Sequence, residues 1–85
     1  MTPSAQRFVT PYVLSLFSEG HVFTDLFEIH DVIRVPHVSL SAWADLFVIL
    51  PATAGILAKV AHGFCDDLVS ATAVAVDGAV VLVRA

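Results

Sequence analysis

Apolar and polar positions divide the chain into short elements around one central stretch. Leu46 to Leu50 is an unbroken apolar run that meets Pro51. This predicts a buried strand that stops where Pro51 removes a backbone donor and fixes φ. Ala52-Thr53-Ala54-Gly55 follow as a tight loop of small residues. Ile56, Leu57, Val60 and Phe64 then recur at helical spacing, so a helix follows the loop. Beyond Asp66-Asp67, Leu68 to Val76 predicts a second helix, although its β-branched content also suits a strand. Asp77-Gly78 signals a turn, and Ala79 to Val83 reads as another buried strand. Strand, helix, strand predicts a right-handed βαβ unit with a parallel sheet.

The upstream half is less regular. Met1 to Ser18 predicts a helix in which Thr2 caps, Pro3 takes the first helical position and Ser4 lies in the first turn. Phe8, Tyr12 and Leu16, flanked by Val9 and Val13, form its apolar stripe, and Pro11 kinks or divides it. Glu19-Gly20 ends it. His21 to Leu26 predicts a short strand, and Phe27 to Val35 lacks a period and reads as loop. Pro36 biases Val35 away from helix. Val38 to Trp43 then predicts a short helix, with His37 at or just before its N-terminus.

Composition adds a constraint. Eighty-five residues make one small domain, yet 58% are hydrophobic and only 14% charged. A domain of this size hides little apolar surface alone, so oligomerisation or docking onto further segments is expected. The formal charge is −4, and the four basic residues, Arg7, Arg34, Lys59 and Arg84, are scattered. No basic stripe exists for nucleic acid. The single cysteine, Cys65, cannot form an internal disulfide, so a reduced, cytoplasmic chain is expected. Charges and prolines interrupt every apolar stretch before spanning length, and no secretory signal is visible.

A loop at the carboxyl end of a strand is where open α/β sheets bind ligands. Small residues from Ala52 to Gly55 let a planar ligand approach the backbone. An imidazole can take up a proton at working pH, so His37 suits a general base, with helix capping as the alternative. His21, His30, His37 and His62 fit no compact ligand spacing, so no metal site is expected. Cys65 reads as packing, and Asp66-Asp67 as helix-start acids rather than a cation site. Thr2 and Ser4 suit either a helix start or a phosphate, because both use the same free N–H groups.

Four blocks in order carry a resemblance. They are Thr2-Pro3-Ser4-Ala5 with Arg7-Phe8-Val9-Thr10-Pro11; Pro36-His37-Val38-Ser39-Leu40 with Trp43-Ala44-Asp45; Pro51-Ala52-Thr53-Ala54; and His62-Gly63-Phe64-Cys65-Asp66-Asp67-Leu68. The chain resembles, from Thr2 to Val83, the flavin-dependent cysteine decarboxylases. That family includes phosphopantothenoylcysteine decarboxylase of coenzyme A biosynthesis and the peptide decarboxylases of lanthipeptide biosynthesis. The resemblance implies an α/β, flavodoxin-like (Rossmann-like) three-layer parallel sheet. It also implies bound FMN, and assembly as a homo-trimer or as a dodecamer of four trimers with flavin between subunits. It assigns catalysis to His37. Thr2, Pro3 and Ser4 approach the flavin and its phosphate, and Thr53, Ala54, Gly55 and Ile56 form the loop against the isoalloxazine ring. Trp43 reads as core or interface rather than a flavin-stacking residue.

There are departures. Many relatives carry Asn-Thr where this chain has Gly55-Ile56, which removes two polar side chains from the loop. The family's first strand and phosphate loop fall before Met1. Its Pro-Ala-Met-Asn motif begins about where Arg84-Ala85 stand, with Arg84 in place of the usual proline, and the substrate clamp lies further on. The expected organisation is therefore a single partial flavoprotein domain over 1–85, the middle portion, incomplete at both ends.

The implied reaction is FMN-dependent oxidative decarboxylation of a cysteine carboxylate. The cysteine carbon–thiol unit is oxidised towards a thioaldehyde, an electron sink from which carbon dioxide leaves. The substrate is the C-terminal cysteine of a precursor peptide or phosphopantothenoylcysteine, and the Thr2-Pro3-Ser4 start leans towards the peptide enzymes. The alternative is a non-catalytic subunit or fragment contributing His37 and an interface to a partner. A flavin prenyltransferase-like relative is disfavoured because its characteristic loop differs.

Overall fold

Two parallel strands, β1 (Leu46–Ala52) and β2 (Ala79–Arg84), pair side by side with Leu46 opposite Ala79 and Ile49 opposite Leu82. The structure, a computed structural model, describes residues 1–28 and 35–85. Among the described residues four α-helices accompany the strands: α1 (Pro11–Ser15), α2 (Pro36–Trp43), α3 (Ala54–His62) and α4 (Leu68–Ala75). The order β1–α3–α4–β2 with parallel pairing is the βαβ unit expected from the sequence.

The core lies on one face of the sheet. Ile49 and Ala52 of β1 meet Ile56 of α3, with Phe47, Leu57, Val60, Val69 and Ala73 packed around them. Period 2 in the strand and 3.6 in the helix bring these positions together. In α4, the buried Ser70 and Thr72 find local partners: Ser70 joins the helix cap, and the Thr72 hydroxyl donates to the Leu68 carbonyl at 2.7 Å. Helix α2 packs against α4.

Each junction has a polar device. The Asp67 carboxylate accepts from the Ser70 N–H at 2.7 Å, and the Asp67 N–H donates to the Ser70 hydroxyl at 3.3 Å. This capping box satisfies two orphan donors at the start of α4. Lys59 of α3 donates to Asp67 at 2.9 Å and pairs with Asp66 at 3.2 Å, which ties the end of α3 to the start of α4. Gly63 stops α3 at φ 75. There the Phe64 N–H reaches the Lys59 carbonyl at 3.0 Å, and only glycine adopts this left-handed position without cost. At Gly78 a Cβ would stand 3.2 Å from the Asp45 carbonyl oxygen, so the turn into β2 passes tightly over the start of β1.

The expected division of Met1 to Ser18 at Pro11 is seen, with a single 3-10 turn over Ala5–Arg7 and α1 beginning anew at Pro11, while several other expectations are corrected. Pro11 has no N–H for a continuous helix, and Thr10 is extended and caps α1 by accepting from the Val13 N–H at 3.1 Å. The Phe8, Tyr12 and Leu16 stripe is exposed, Phe8 at 88%. His21 to Leu26 is not a strand. The Glu28 carboxylate gathers the Thr24 N–H at 2.8 Å, the Asp25 N–H at 3.3 Å, the Thr24 hydroxyl and the His21 ring. Side-chain bonds of this kind compete with a ladder. Phe27 and Glu28 continue that turn, and the rest of the expected 27–35 loop up to residue 34 lies outside the described residues.

Strand β1 does not stop at Pro51 but runs to Ala52, with a register shift between Ile49 and Ala52. The irregularity absorbs the missing donor. The loop consequently shrinks to Thr53, and α3 begins at Ala54. Strand β2 is not buried; apart from half-buried Val80 its residues are exposed. Phe64 and Cys65 stand exposed in the α3–α4 connection rather than packed in a helix, because Gly63 has already turned the chain. Trp43 is 81% exposed and is not core.

Burial raises the Asp67 pKa, but the Ser70 N–H, the Lys59 ammonium and the Ser70 hydroxyl outweigh it, and the carboxyl titrates below its ordinary value. A carboxyl depressed in the folded state contributes stability present above its unfolded pKa, roughly 4, and lost as pH falls through the folded one. Urea unfolding at neutral pH is expected to place Asp67→Ala about 1 kcal/mol below the parent. Repeating the series from pH 5 downwards, the parent loses stability more steeply than Asp67→Asn. Parallel acid profiles would remove Asp67 from this role.

Candidate functional site

The carboxyl end of β1 forms an exposed corner. Ala52 is 1% exposed and anchors it, Thr53, Ala54 and Gly55 face outwards, and Ile56 turns its side chain back into the core. Thr53 is extended, with φ −79 and ψ 166, and caps α3. Its hydroxyl accepts from the Ile56 N–H at 3.5 Å and its carbonyl from the Leu57 N–H at 3.0 Å. The preceding N–H groups, those of Ala54 and Gly55, have no protein acceptor among the described residues. First-turn donors of this kind suit an oxygen or ring nitrogen presented from outside.

The corner is open as well as polar. A Cβ built on Gly55 meets nothing closer than the Thr53 hydroxyl at 3.8 Å. A flat heteroaromatic ring fits such a place: small side chains admit it and the free N–H groups receive its acceptors. Ile56 contributes only backbone there, since its side chain belongs to the core and its N–H is already bonded to Thr53.

His37 is the second residue of α2, behind the buried Pro36. Val35 occupies the cap position and no side chain caps the helix, so His37 does not serve as a cap. His37 is half-buried, and its Nδ1 is buried without a hydrogen-bond partner among the described residues.

Thr2, Pro3 and Ser4 precede the 3-10 turn. The Thr2 hydroxyl accepts from the Ala5 N–H at 3.1 Å, and its carbonyl accepts from the Gln6 N–H at 3.2 Å. Pro3 and Ser4 are exposed, and Ser4 makes no side-chain cap bond. The candidate residues thus fall into three groups on three elements. Thr53, Ala54 and Gly55 share one corner, and no hydrogen bond among the described residues links that corner to His37 or to Thr2–Ser4.

Sequence reasoning missed a cavity of about 270 Å³ between α2, α4 and the start of β1. Leu40, Trp43, Phe47, Leu68 and Thr72 line it, with Met1 and Phe23 across the opening. Its signal was the Leu40/Trp43 and Leu68/Thr72 spacing on two helices that pack together. None of the candidate residues lines it. Among the described residues no three His, Cys, Asp or Glu side chains cluster as a metal site. His30 lies outside the described residues. No helix among the described residues is long and apolar enough to cross a membrane.

Comparison with known proteins places this geometry. The family model described as Flavoprotein matches residues 1–83. The crystal structure of SpaF, described as an FMN-dependent cysteine decarboxylase, superposes with a TM-score of 0.81 at 41% identity, covering 94% of this chain and 45% of SpaF. A probable phosphopantothenoylcysteine decarboxylase of Streptococcus mutans is 37% identical over 75 residues, 88% of this chain and 42% of the relative. The coenzyme A biosynthesis bifunctional protein CoaBC of Bacillus subtilis is 39% identical over 75 residues, 88% of this chain and 18% of the relative. The chain therefore spans less than half the length of each of these relatives. The fold is α/β and flavodoxin-like, as the parallel β1–β2 pair and its crossover helices require. With residues 1–83 of this chain matched by the family model, the chain belongs to the Flavoprotein family.

Proposed function

We propose that this chain is the histidine-bearing, flavin-contacting part of an FMN-dependent cysteine decarboxylase, a carbon–carbon lyase. The exposed corner at Thr53, Ala54 and Gly55, with its two unpartnered N–H groups, carries the reading. Family membership and the descriptions of SpaF and the Streptococcus mutans relative support the reaction class.

FMN, when bound, supplies the two-electron oxidation of the cysteine carbon–thiol unit. The chain's own residues do the rest. The Ala54 and Gly55 N–H groups hold the ring's acceptors, and the backbone at Ile56 completes that edge. Ser4, whose hydroxyl caps nothing, and the neighbouring Thr2 and Pro3 lie towards the phosphate. The His37 imidazole takes a proton from the substrate. The phosphate loop and the asparagine motif that the resemblance implies come from outside the matched segment.

The substrate class is a cysteine carboxylate, either the C-terminal cysteine of a precursor peptide or phosphopantothenoylcysteine. The three residue groups lie on different elements with no hydrogen bond between them among the described residues, which favours a site assembled between copies, as a trimer or a dodecamer. The apolar surplus points the same way, with 58% hydrophobic residues in 85. Cytoplasmic residence fits the single, unpaired and exposed Cys65. A second reading is a non-catalytic subunit or fragment contributing His37 and an interface to a partner, and the exposed apolar residues of α1 and β1 favour it.

Purified protein is expected to carry the visible absorbance of a flavin, to release FMN on denaturation and to run as a trimer or larger by light scattering. A colourless monomer that stays inactive towards both substrate types would end the first reading. His37→Asn is expected to retain flavin and lose carbon dioxide release from the cysteine substrate, followed by mass spectrometry; unchanged turnover would remove His37 from the mechanism. Thr53→Ala is expected to cost about 1 kcal/mol through loss of the α3 cap. It should also loosen FMN, because the corner's first turn frays. Equal FMN retention in parent and variant would separate the cap from the cofactor.

A further inference from the structure

The carboxyl ends of the two strands meet at Ala52 and Arg84. These residues are register partners, and the Ala85 N–H donates to the Ala52 carbonyl at 3.1 Å. Cross-strand partners share a face of the sheet. Ile49 and Ala52 both face the core although they are three positions apart, whereas their partners Leu82 and Arg84 are two apart. The register shift between Ile49 and Ala52 therefore sets Arg84 on the α3 side, beside the residue that precedes Thr53, Ala54 and Gly55. Arg84 is exposed and has no carboxylate partner among the described residues. Asp45 and Asp77 precede the strands, which at about 3.3 Å per residue hold them roughly 20 Å from the corner. That distance is well beyond the screening length of about 8 Å at physiological salt. An unpaired cation thus stands next to the outward N–H groups of Ala54 and Gly55.

We propose that Arg84 tunes the charge of the flavin corner: its guanidinium stabilises the negative charge that the ring's acceptor edge takes on when FMN is reduced. This deepens the decarboxylase reading above and rests on it. In that reading the cysteine carbon–thiol unit gives a hydride, two electrons and a proton, to FMN and its thiol proton to a base. The cysteine unit becomes the thioaldehyde, and the ring is left with one net negative charge. That charge spreads over the ring nitrogen and carbonyl oxygens, the acceptors that the Ala54 and Gly55 N–H groups receive. A cation held beside them by the strand register favours the reduced ring, so the oxidation of the cysteine unit runs further. Because Arg84 is exposed, the effect is sensitive to salt.

The test is spectroelectrochemical titration of FMN bound to the full chain, comparing the parent with Arg84→Gln and Arg84→Lys, with far-UV circular dichroism as the folding control. Arg84→Gln is expected to shift the equilibrium about tenfold towards oxidised FMN, a fall of about 30 mV for a two-electron couple. Arg84→Lys keeps the cation and should retain most of the parent's potential. The gap between parent and Arg84→Gln should narrow in about 1 M salt, where the screening length falls to about 3 Å. Sulfite, which adds to oxidised flavin as an anionic adduct, should bind Arg84→Gln more weakly by a similar factor. Bound FMN with the same potential in parent and Arg84→Gln overturns the inference and leaves the decarboxylase reading standing, as does Arg84→Lys behaving like Arg84→Gln. A folded Arg84→Gln chain that no longer holds FMN also overturns it, since Arg84 then binds rather than tunes. A parent that takes up no FMN overturns the inference together with the reading it rests on.

Discussion

Everything in the structure hangs on the way Ala52 is buried while Thr53 is not. Ala52 closes the core against Ile49 and Ile56, and the next residue must leave it. The chain turns because the Thr53 hydroxyl and carbonyl take the first two bonded donors of α3, which lets a helix begin one residue after a strand ends. The side effect is the corner. With Thr53 occupied by the third and fourth residues of the turn, the N–H groups of Ala54 and Gly55 are left pointing outwards. Structure and candidate chemistry therefore share one cause, and the site cannot be moved without disturbing the core.

The downstream half was legible because its signals are local and strong. A five-residue apolar run from Leu46, helical spacing through Ile56, Leu57 and Val60, and two aspartates before Leu68 each correspond to an observed element. Pro51 misled, because a proline inside a strand can be absorbed by a register shift, and no pattern of side chains announces one. The upstream half was harder. HVFTDL at His21 alternates enough to suggest a strand, but Glu28 lies at the distance where its carboxylate gathers two backbone N–H groups. Burial of that carboxylate is outweighed by the Thr24 N–H and the His21 ring, and its pKa falls to about 2. A seven-residue polar closure of that strength defeats a two-residue period.

The candidate site was only partly legible. Small residues after a strand marked the corner, and Pro36 marked the helix that bears His37. The direction of Ile56 was not visible, since the same spacing that makes it helical also makes it core. Nor was the partnerless Nδ1 of His37, which depends on what Pro36 and its neighbours bury rather than on any pattern in the chain. The cavity beside Trp43 went unseen for a related reason. It lies between elements, and the Leu40/Trp43 and Leu68/Thr72 pairs acquire meaning only once α2 is known to pack on α4.

A contrast runs through these outcomes. Apart from α2, the helix starts are closed by nearby polar residues, Thr10 for α1, Thr53 for α3 and Asp67 with Ser70 for α4, and Gly63 closes the exit of α3. Secondary structure is thus written locally, in polar side chains a few positions from the backbone groups they satisfy. Enclosure is not written locally. The Phe8, Tyr12 and Leu16 stripe and Leu46, Val48 and Leu50 of β1 are as apolar as the core, and they stand exposed among the described residues. Local devices worth about 1 kcal/mol each set where elements begin and end. They do not outweigh the cost of leaving two apolar surfaces in water, at roughly 25 cal/mol per Å². What governs the stability of this chain is accordingly not its caps but whatever closes those surfaces.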